Sequence, residues 1–182
     1  MWRGRRLWLL LPALAVGLAL GAVLPGRHPV LPDWQEIAWP FGRDAWPAGR
    51  AFRCGSAACG GEQEVYLRPK VGLCNCTRGI TGDAEVDGVS DMDMLTDDFV
   101  PRAAGQPVAM GGLDGIARPY SLHLSGGRQR NAAGIALSHR CDLVVAASVG
   151  DSAGQAAALQ AIAGLLSRPD IGKWLEQQFG KG

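Results

Sequence analysis

Apolar and polar positions change their spacing three times along this chain, and each spacing predicts a different kind of structure. Residues 7–24 are 18 consecutive positions without a charge, and three arginines precede them. A run of this length can cross a bilayer, and arginines tend to stay on its cytoplasmic side. The pattern predicts a signal anchor or a cleaved signal peptide over residues 1–24, with residues 7–24 in contact with lipid.

Residues 25–50 follow neither a helical nor a strand period. They carry five prolines, which block helix formation and favour extended chain, so the segment is predicted to be a Pro/Trp-rich tether. Trp34, Trp39 and Trp46 lie within it. Two interpretations remain open: the rings sit at the lipid headgroups or against an integral membrane partner, or they fold back onto the domain that follows.

Residues 51–182 show the periods of a folded domain. Apolar spacing predicts one helix over residues 83–95 and two after residue 151, the second starting at Pro169. Strands are predicted near residues 52–54, 64–68, 106–110, 116–125, 133–138 and 141–149. The predicted class is therefore α+β: an N-terminal transmembrane or signal-anchor helix, then one small domain in which helices cover one face of an antiparallel sheet.

The leader also predicts a location. Residues 51–182 are expected in the periplasm of a bacterium, with the N-terminus cytoplasmic and the chain held in the inner membrane; the alternative is secretion to the periplasm after cleavage. The formal charge is +1, and several of the basic residues belong to the leader. Since no basic patch with interleaved aromatics occurs, nucleic acid is not an expected partner.

Five cysteines allow three kinds of chemistry. In an oxidising compartment the first expectation is structural disulfides among Cys54, Cys59, Cys74 and Cys76, with Cys141 as a buried thiol. The second is a Cu(I) site built on Cys74 and Cys76, with methionine or histidine as further ligands. The third is thiol redox catalysis at Cys76 or Cys141, although no C-x-x-C pair is present.

Residues 83–98 contain seven acidic side chains and no base. This run is interpreted as the solvated face of a helix or as a docking surface for a basic partner. A calcium loop is the third interpretation, but it is incomplete, because Met94 stands where a bidentate glutamate is needed.

The chain has no phosphate loop, nucleophile elbow or dinucleotide fingerprint, so catalytic residues and an organic cofactor are not expected. The sequence instead favours a non-enzymatic, membrane-tethered periplasmic domain, an accessory subunit that binds or helps to assemble a membrane protein complex. The candidate docking residues are Trp34, Trp39, Trp46, Asp91 and Asp93. The alternative function is an extracytoplasmic copper chaperone that uses Cys74 and Cys76 as metal ligands.

Overall fold

A computed structural model describes residues 34–42, 44, 46–55, 59, 61–72, 78–150 and 154–180. Its eight strands and four helices follow in the order β1 Gln35–Ile37, β2 Arg50–Cys54, β3 Gln63–Lys70, α1 Asp83–Val89, α2 Met92–Leu95, β4 Phe99–Pro101, β5 Gln106–Met110, β6 Leu113–Leu124, β7 Arg128–His139, β8 Asp142–Gly150, α3 Gln155–Leu166 and α4 Pro169–Phe179.

All eight strands belong to one antiparallel sheet with the order β1-β2-β3-β8-β7-β6-β4. β4 and β5 both pair with β6, so they share one edge of the sheet. The long hairpin of β6 and β7 turns through Gly126 and Gly127, whose φ values of 78° and 73° suit a residue without a Cβ. β3 and β8 occupy the interior of the sheet, and nearly all of their residues are buried.

Helices α3 and α4 cover one face of the sheet. Their buried side chains recur at helical spacing, so that Ile162, Leu165 and Ile171 all lose contact with solvent. They join a cluster that includes alternate residues of β3 and β8, such as Leu67 and Val144. The partly buried Trp34 packs against the same cluster.

The opposite face is covered by α1, α2 and the segment between β1 and β2. The Glu85 carboxylate caps the N-terminus of helix α1. It accepts hydrogen bonds from the backbone N–H groups of Thr81 (2.6 Å) and Gly82 (3.1 Å). These bonds lower the pKa of Glu85. Val86 and Met92 are fully buried beneath the two helices. The sheet is thus covered on both faces, and not on one face as predicted.

The single helix predicted over residues 83–95 is also divided. Asp91 lies between α1 and α2 with φ 60° and ψ 24°, a left-handed conformation that ends helical hydrogen bonding. Aspartate tolerates this region better than most residues. The break turns the Asp91 side chain towards the sheet, where it meets Arg68 and Lys70.

The predicted fold class was wrong. The described residues form a predominantly antiparallel β structure with few helices, and the longest helix, α3, has 12 residues. A membrane span needs about 20 apolar residues. None of the described helices is long and apolar enough for that task. The predicted inner-membrane location is therefore without support from the described residues; residues 7–24, over which the transmembrane helix was predicted, lie outside them.

The packing of α3 predicts the cost of a cavity. Replacing the fully buried Leu165 with alanine should lower the free energy of unfolding by about 2–5 kcal/mol, because the core loses apolar contacts and cannot fully close. Urea denaturation measures this change. The control is Val100→Ala on β4: Val100 is 48% exposed, so its truncation should cost less than about 0.5 kcal/mol. Equal losses in the two variants would contradict the assignment of α3 to the core.

Candidate functional site

The segment between β1 and β2 crosses the face of the sheet above β3. We call its described residues 39–42, 44 and 46–48 the strap. Trp39 and Phe41 pack edge-on against each other and against Tyr66 of β3, with ring centroids 5.0–6.2 Å apart. Gly49 directly follows the strap, at the point where the backbone comes close to β3; a Cβ there would overlap the carbonyl oxygen of Leu67 and the ring of Trp39. The strap therefore lies tightly against the sheet at both of its ends.

Two cations of β3 are buried beneath the strap. Arg68 and Lys70 alternate with Leu67 and Pro69, so they share the strap face with Tyr66 while Leu67 faces α3. The Arg68 side chain is 2% exposed and that of Lys70 is 6% exposed. Charges buried this deeply require close partners.

Asp91 supplies the principal partner. The Arg68 guanidinium donates from Nε to Oδ2 (2.9 Å) and from Nη2 to Oδ1 (2.6 Å), which is the two-pronged geometry that suits an arginine and a carboxylate. The Lys70 ammonium lies 2.6 Å from Oδ1 of the same carboxylate. Asp91 thus joins both buried cations, and we call the three residues the buried ion cluster.

Asp44 reaches the cluster from the strap. Its carboxylate accepts a hydrogen bond from Nη1 of Arg68 (2.7 Å) and another from the backbone N–H of Trp46 (2.9 Å). Partial burial acts to raise the pKa of Asp44, but the bonds from Arg68 and Trp46 outweigh it, so the pKa is lowered. Unlike Asp91, Asp44 remains accessible, with 36% of its side chain exposed.

A cleft of about 510 Å³ opens between the strap and the sheet. Arg68 lies at its floor, and the other lining residues all come from the strap: Trp39, Phe41, Gly42, Asp44, Trp46, Pro47 and Ala48. The Arg68 guanidinium lies 5.8 Å from the Trp39 ring, and the Lys70 ammonium lies 5.9 Å from the Trp46 ring. The cleft, which we call the strap cleft, combines aromatic walls with one buried cation.

The charges of the strap cleft are fixed at neutral pH. Burial acts to lower the pKa of Arg68, but its bonds to Asp91 and Asp44 raise it overall, so the guanidinium keeps its charge. Asp44 also stays ionised at neutral pH because its pKa is lowered. The described lining residues include no histidine, cysteine or serine to act as base or nucleophile. The described lining of the cleft thus combines fixed charge with aromatic rings.

The predicted docking residues do not form a single surface. Trp39 and Trp46 line the strap cleft, whereas Trp34 packs on the α3 face. Asp93 is exposed on α2, but Asp91 is buried and is therefore not available at the surface. The sequence prediction missed Arg68 and Lys70. The signal was present in the alternation of β3, which puts both cations on the same side as the aromatic Tyr66.

The acidic run has structural partners that its composition did not reveal. Asp87 pairs with Arg118 and accepts a hydrogen bond from the Tyr120 hydroxyl (2.6 Å), while Asp83 lies 3.3 Å from Arg118. Burial, followed by the bond to Asp87, raises the pKa of the fully buried Tyr120. These carboxylates fix α1 to β6 instead of facing one another as in a calcium loop. Within the described part of the chain no group of three or more potential ligands is placed to hold a metal.

One predicted disulfide is present. Cys54 and Cys59 are bonded, with their Cα atoms 6.2 Å apart. Cys141, which was expected to be a buried thiol, is disulfide-bonded as well. Cys74 and Cys76, the proposed copper ligands, lie outside the described residues.

Comparison with known proteins adds little to this geometry. No family model matches the chain, and no curated protein matches it. Among solved structures the chain is similar to PA94, a protein of unknown function from Pseudomonas aeruginosa, at 13% sequence identity and a TM-score of 0.43. The similarity covers 75% of this chain and 98% of that one. At this score it supports no conclusion about function.

The cysteine pairing predicts a thiol count. With Cys54 bonded to Cys59, an intramolecular partner for Cys141 has to come from the two cysteines that remain, Cys74 and Cys76. Alkylation of the protein purified without reductant should therefore modify one cysteine, and alkylation after reduction should modify five. Intact-mass measurement gives both counts. Three modified cysteines without reduction would contradict the bonding of Cys141.

The buried ion cluster predicts a sharp difference between two neighbouring aspartates. Asp91→Asn should lower the free energy of unfolding by about 3–5 kcal/mol, because it leaves Arg68 and Lys70 buried without their shared charge. Asparagine keeps the left-handed backbone accessible, so the loss reports on charge. The control, Asp93→Asn, changes an exposed residue of α2 and should cost less than about 0.5 kcal/mol. Similar urea denaturation midpoints for the two variants would exclude the cluster as a major source of stability.

Proposed function

We propose that this chain is a non-enzymatic binding domain, an accessory component that joins a protein partner through the strap cleft. The observation that carries the proposal is the cleft itself, with its aromatic walls and the Arg68 guanidinium at its floor. Ligand sites in proteins commonly enclose about 300–1,000 Å³ and combine apolar walls with a few placed polar groups. The strap cleft has this size and this composition.

The types of residue in the strap cleft favour a macromolecular partner. Tryptophan and arginine are the residues that most often dominate the energetics of protein interfaces. Trp39 and Trp46 are partly exposed, so each still has apolar area to lose on binding. Gly42, Pro47 and Ala48 at the rim are exposed and uncharged, which lets an occupant continue from the cleft onto the surface.

The cleft is also preorganised for association. Asp44 fixes the middle of the strap to Arg68, while the rings of Trp39 and Phe41 fix its beginning to Tyr66. A surface that is already ordered loses less conformational entropy on binding than a mobile loop does. These contacts support a binding role for a segment that would otherwise be only a connection between two strands.

The copper chaperone is the weaker alternative. A Cu(I) site on Cys74 and Cys76 needs both thiolates. If Cys141 takes one of these cysteines as its disulfide partner, the oxidised protein retains only one thiolate of the pair. Near-stoichiometric copper on the oxidised protein, lost on replacement of Cys74 and Cys76 by serine, would favour this alternative over the strap cleft.

Peptide binding tests the proposed function. Random peptides displayed on phage should be enriched by the full chain, and Trp46→Ala should weaken their binding at least about tenfold, as expected for an interface residue with a large contribution. Fluorescence anisotropy of labelled peptides measures the affinities. The matched control is Trp174→Ala, which removes a tryptophan from α4 on the opposite face and should leave peptide affinity unchanged.

Circular dichroism of both variants confirms that each is folded before affinities are compared. The proposal is overturned if wild-type protein enriches no peptide sequence. It is also overturned if Trp46→Ala binds the enriched peptides as tightly as wild type does.

A further inference from the structure

We infer that the strap cleft recognises a carboxylate group, supplied by an acidic peptide segment of the partner, and that Asp44 occupies the carboxylate position in the free protein. The inference rests on the proposed function and names the chemistry of its ligand. It follows from the charges of the buried ion cluster, the accessibility of Asp44 and the character of the cleft walls.

The buried ion cluster carries one uncompensated positive charge of its own. Arg68 and Lys70 are both cations, and Asp91 is the only acidic member of the three. The second negative charge comes from Asp44, which belongs to the strap and not to the sheet or to α1–α2. With Asp44 turned away, Arg68 would lie at the floor of the cleft with a strong demand for an anion.

The donors of Arg68 are divided between the two sides of the cluster. Nε and Nη2 bind Asp91, which holds the guanidinium plane fixed from the protein interior. Nη1 points to Asp44 on the cleft side. A ligand carboxylate in place of Asp44 would accept the same hydrogen bond from a donor that is already oriented, so the cation would need no rearrangement to bind it.

Asp44 is the member of the network most easily displaced. Asp91 is buried with its two cations, whereas more than a third of the Asp44 side chain is exposed. Because its carboxylate is partly open to water and salt, Asp44 is held less firmly than Asp91, although Arg68 itself is buried. Exchange of Asp44 for another carboxylate therefore conserves the charge balance while leaving the Arg68–Asp91 pair intact.

The walls of the cleft define what accompanies the carboxylate. Trp39, Phe41 and Trp46 present rings beside Arg68, so apolar or aromatic groups next to an acidic residue would be buried together with it. The structure assigns the cleft to a peptide with glutamate or aspartate between apolar side chains. A free small carboxylate would leave these walls unfilled.

A matched pair of peptides tests the inference with the full chain. The probes are acetyl-Gly-Phe-Glu-Phe-Gly-amide and the same peptide with glutamine in place of glutamate. The change in tryptophan fluorescence gives the affinity, and the ¹⁵N–¹H resonance of the Arg68 Nε–H reports on the cation itself. The glutamate peptide should bind at least fivefold more tightly than the glutamine peptide and should shift the Arg68 resonance.

Removal of the internal competitor gives the decisive comparison. Asp44→Asn should bind the glutamate peptide several-fold more tightly than wild type does, because the competing charge is gone, and should bind the glutamine peptide with little change. The matched control is Asp98→Asn, which neutralises an acidic side chain that is 67% exposed and lies just before β4, and should change neither affinity. Higher salt should weaken the binding of the glutamate peptide more than that of the glutamine peptide.

The outcomes separate this inference from the proposed function. Equal binding of the two peptides, with no gain for Asp44→Asn, overturns carboxylate recognition even if the phage selection yields Trp46-dependent neutral peptides. Displacement of the glutamate peptide by sodium benzoate at a similar concentration overturns the assignment to a peptide, since a small molecule would then suffice. Failure of the phage selection together with a saturable, Glu-specific shift of Arg68 supports the carboxylate site and counts against the protein partner.

Discussion

The structure depends on the burial of the Arg68 guanidinium against the Asp91 carboxylate. A charged group in the interior of a sheet is unfavourable by several kcal/mol unless a partner with good geometry accompanies it. Nε and Nη2 of Arg68 both lie within hydrogen-bond distance of the Asp91 carboxylate, and Lys70 contacts the same carboxylate. β3 and the turn between α1 and α2 must therefore meet at one place. The left-handed backbone of Asp91 is the local consequence of this meeting.

Successive side chains of β3 point to opposite faces of the sheet, so its apolar and its charged residues lie in different layers. Leu67 packs in the core beneath α3 and α4, while its neighbour Arg68 lies in the ion cluster on the other face. β8 pairs with β3 over residues 63–70 and β2 pairs with it over residues 63–67, so the register of β3 is fixed. A cation at such a position cannot escape to solvent by a small shift of the strand. The strap cleft thus has a rigid floor, and its variable part is the strap.

The elements that depend on local pattern were predictable, and those that depend on distant partners were not. The apolar run at residues 141–149 corresponds to β8 within one residue, and Pro169 begins α4 as its restricted φ favours. The break at Asp91 escaped prediction because the helical period continues through Val86, Val89, Met92 and Leu95. What interrupts the helix is an attraction to Arg68, which is 23 residues away in sequence. The acidic run is a solvated face only in part. Glu85, Asp93, Asp97 and Asp98 are exposed, whereas Asp83 and Asp87 pair with Arg118, whose place on β6 is far away in sequence.

The strap shows why composition alone could not locate the candidate site. Tryptophans among prolines suit a lipid headgroup layer, a partner protein or the exposed face of the chain's own sheet, since each offers apolar area beside polar groups. Two features of other residues favour the third environment, the face of the chain's own sheet. Gly49 permits the close approach of the strap to β3, and Arg68 and Lys70 place cations near the rings of Trp39 and Trp46. The rings are thus held at the edges of the strap by groups on the sheet, and the space between these fixed points is the strap cleft.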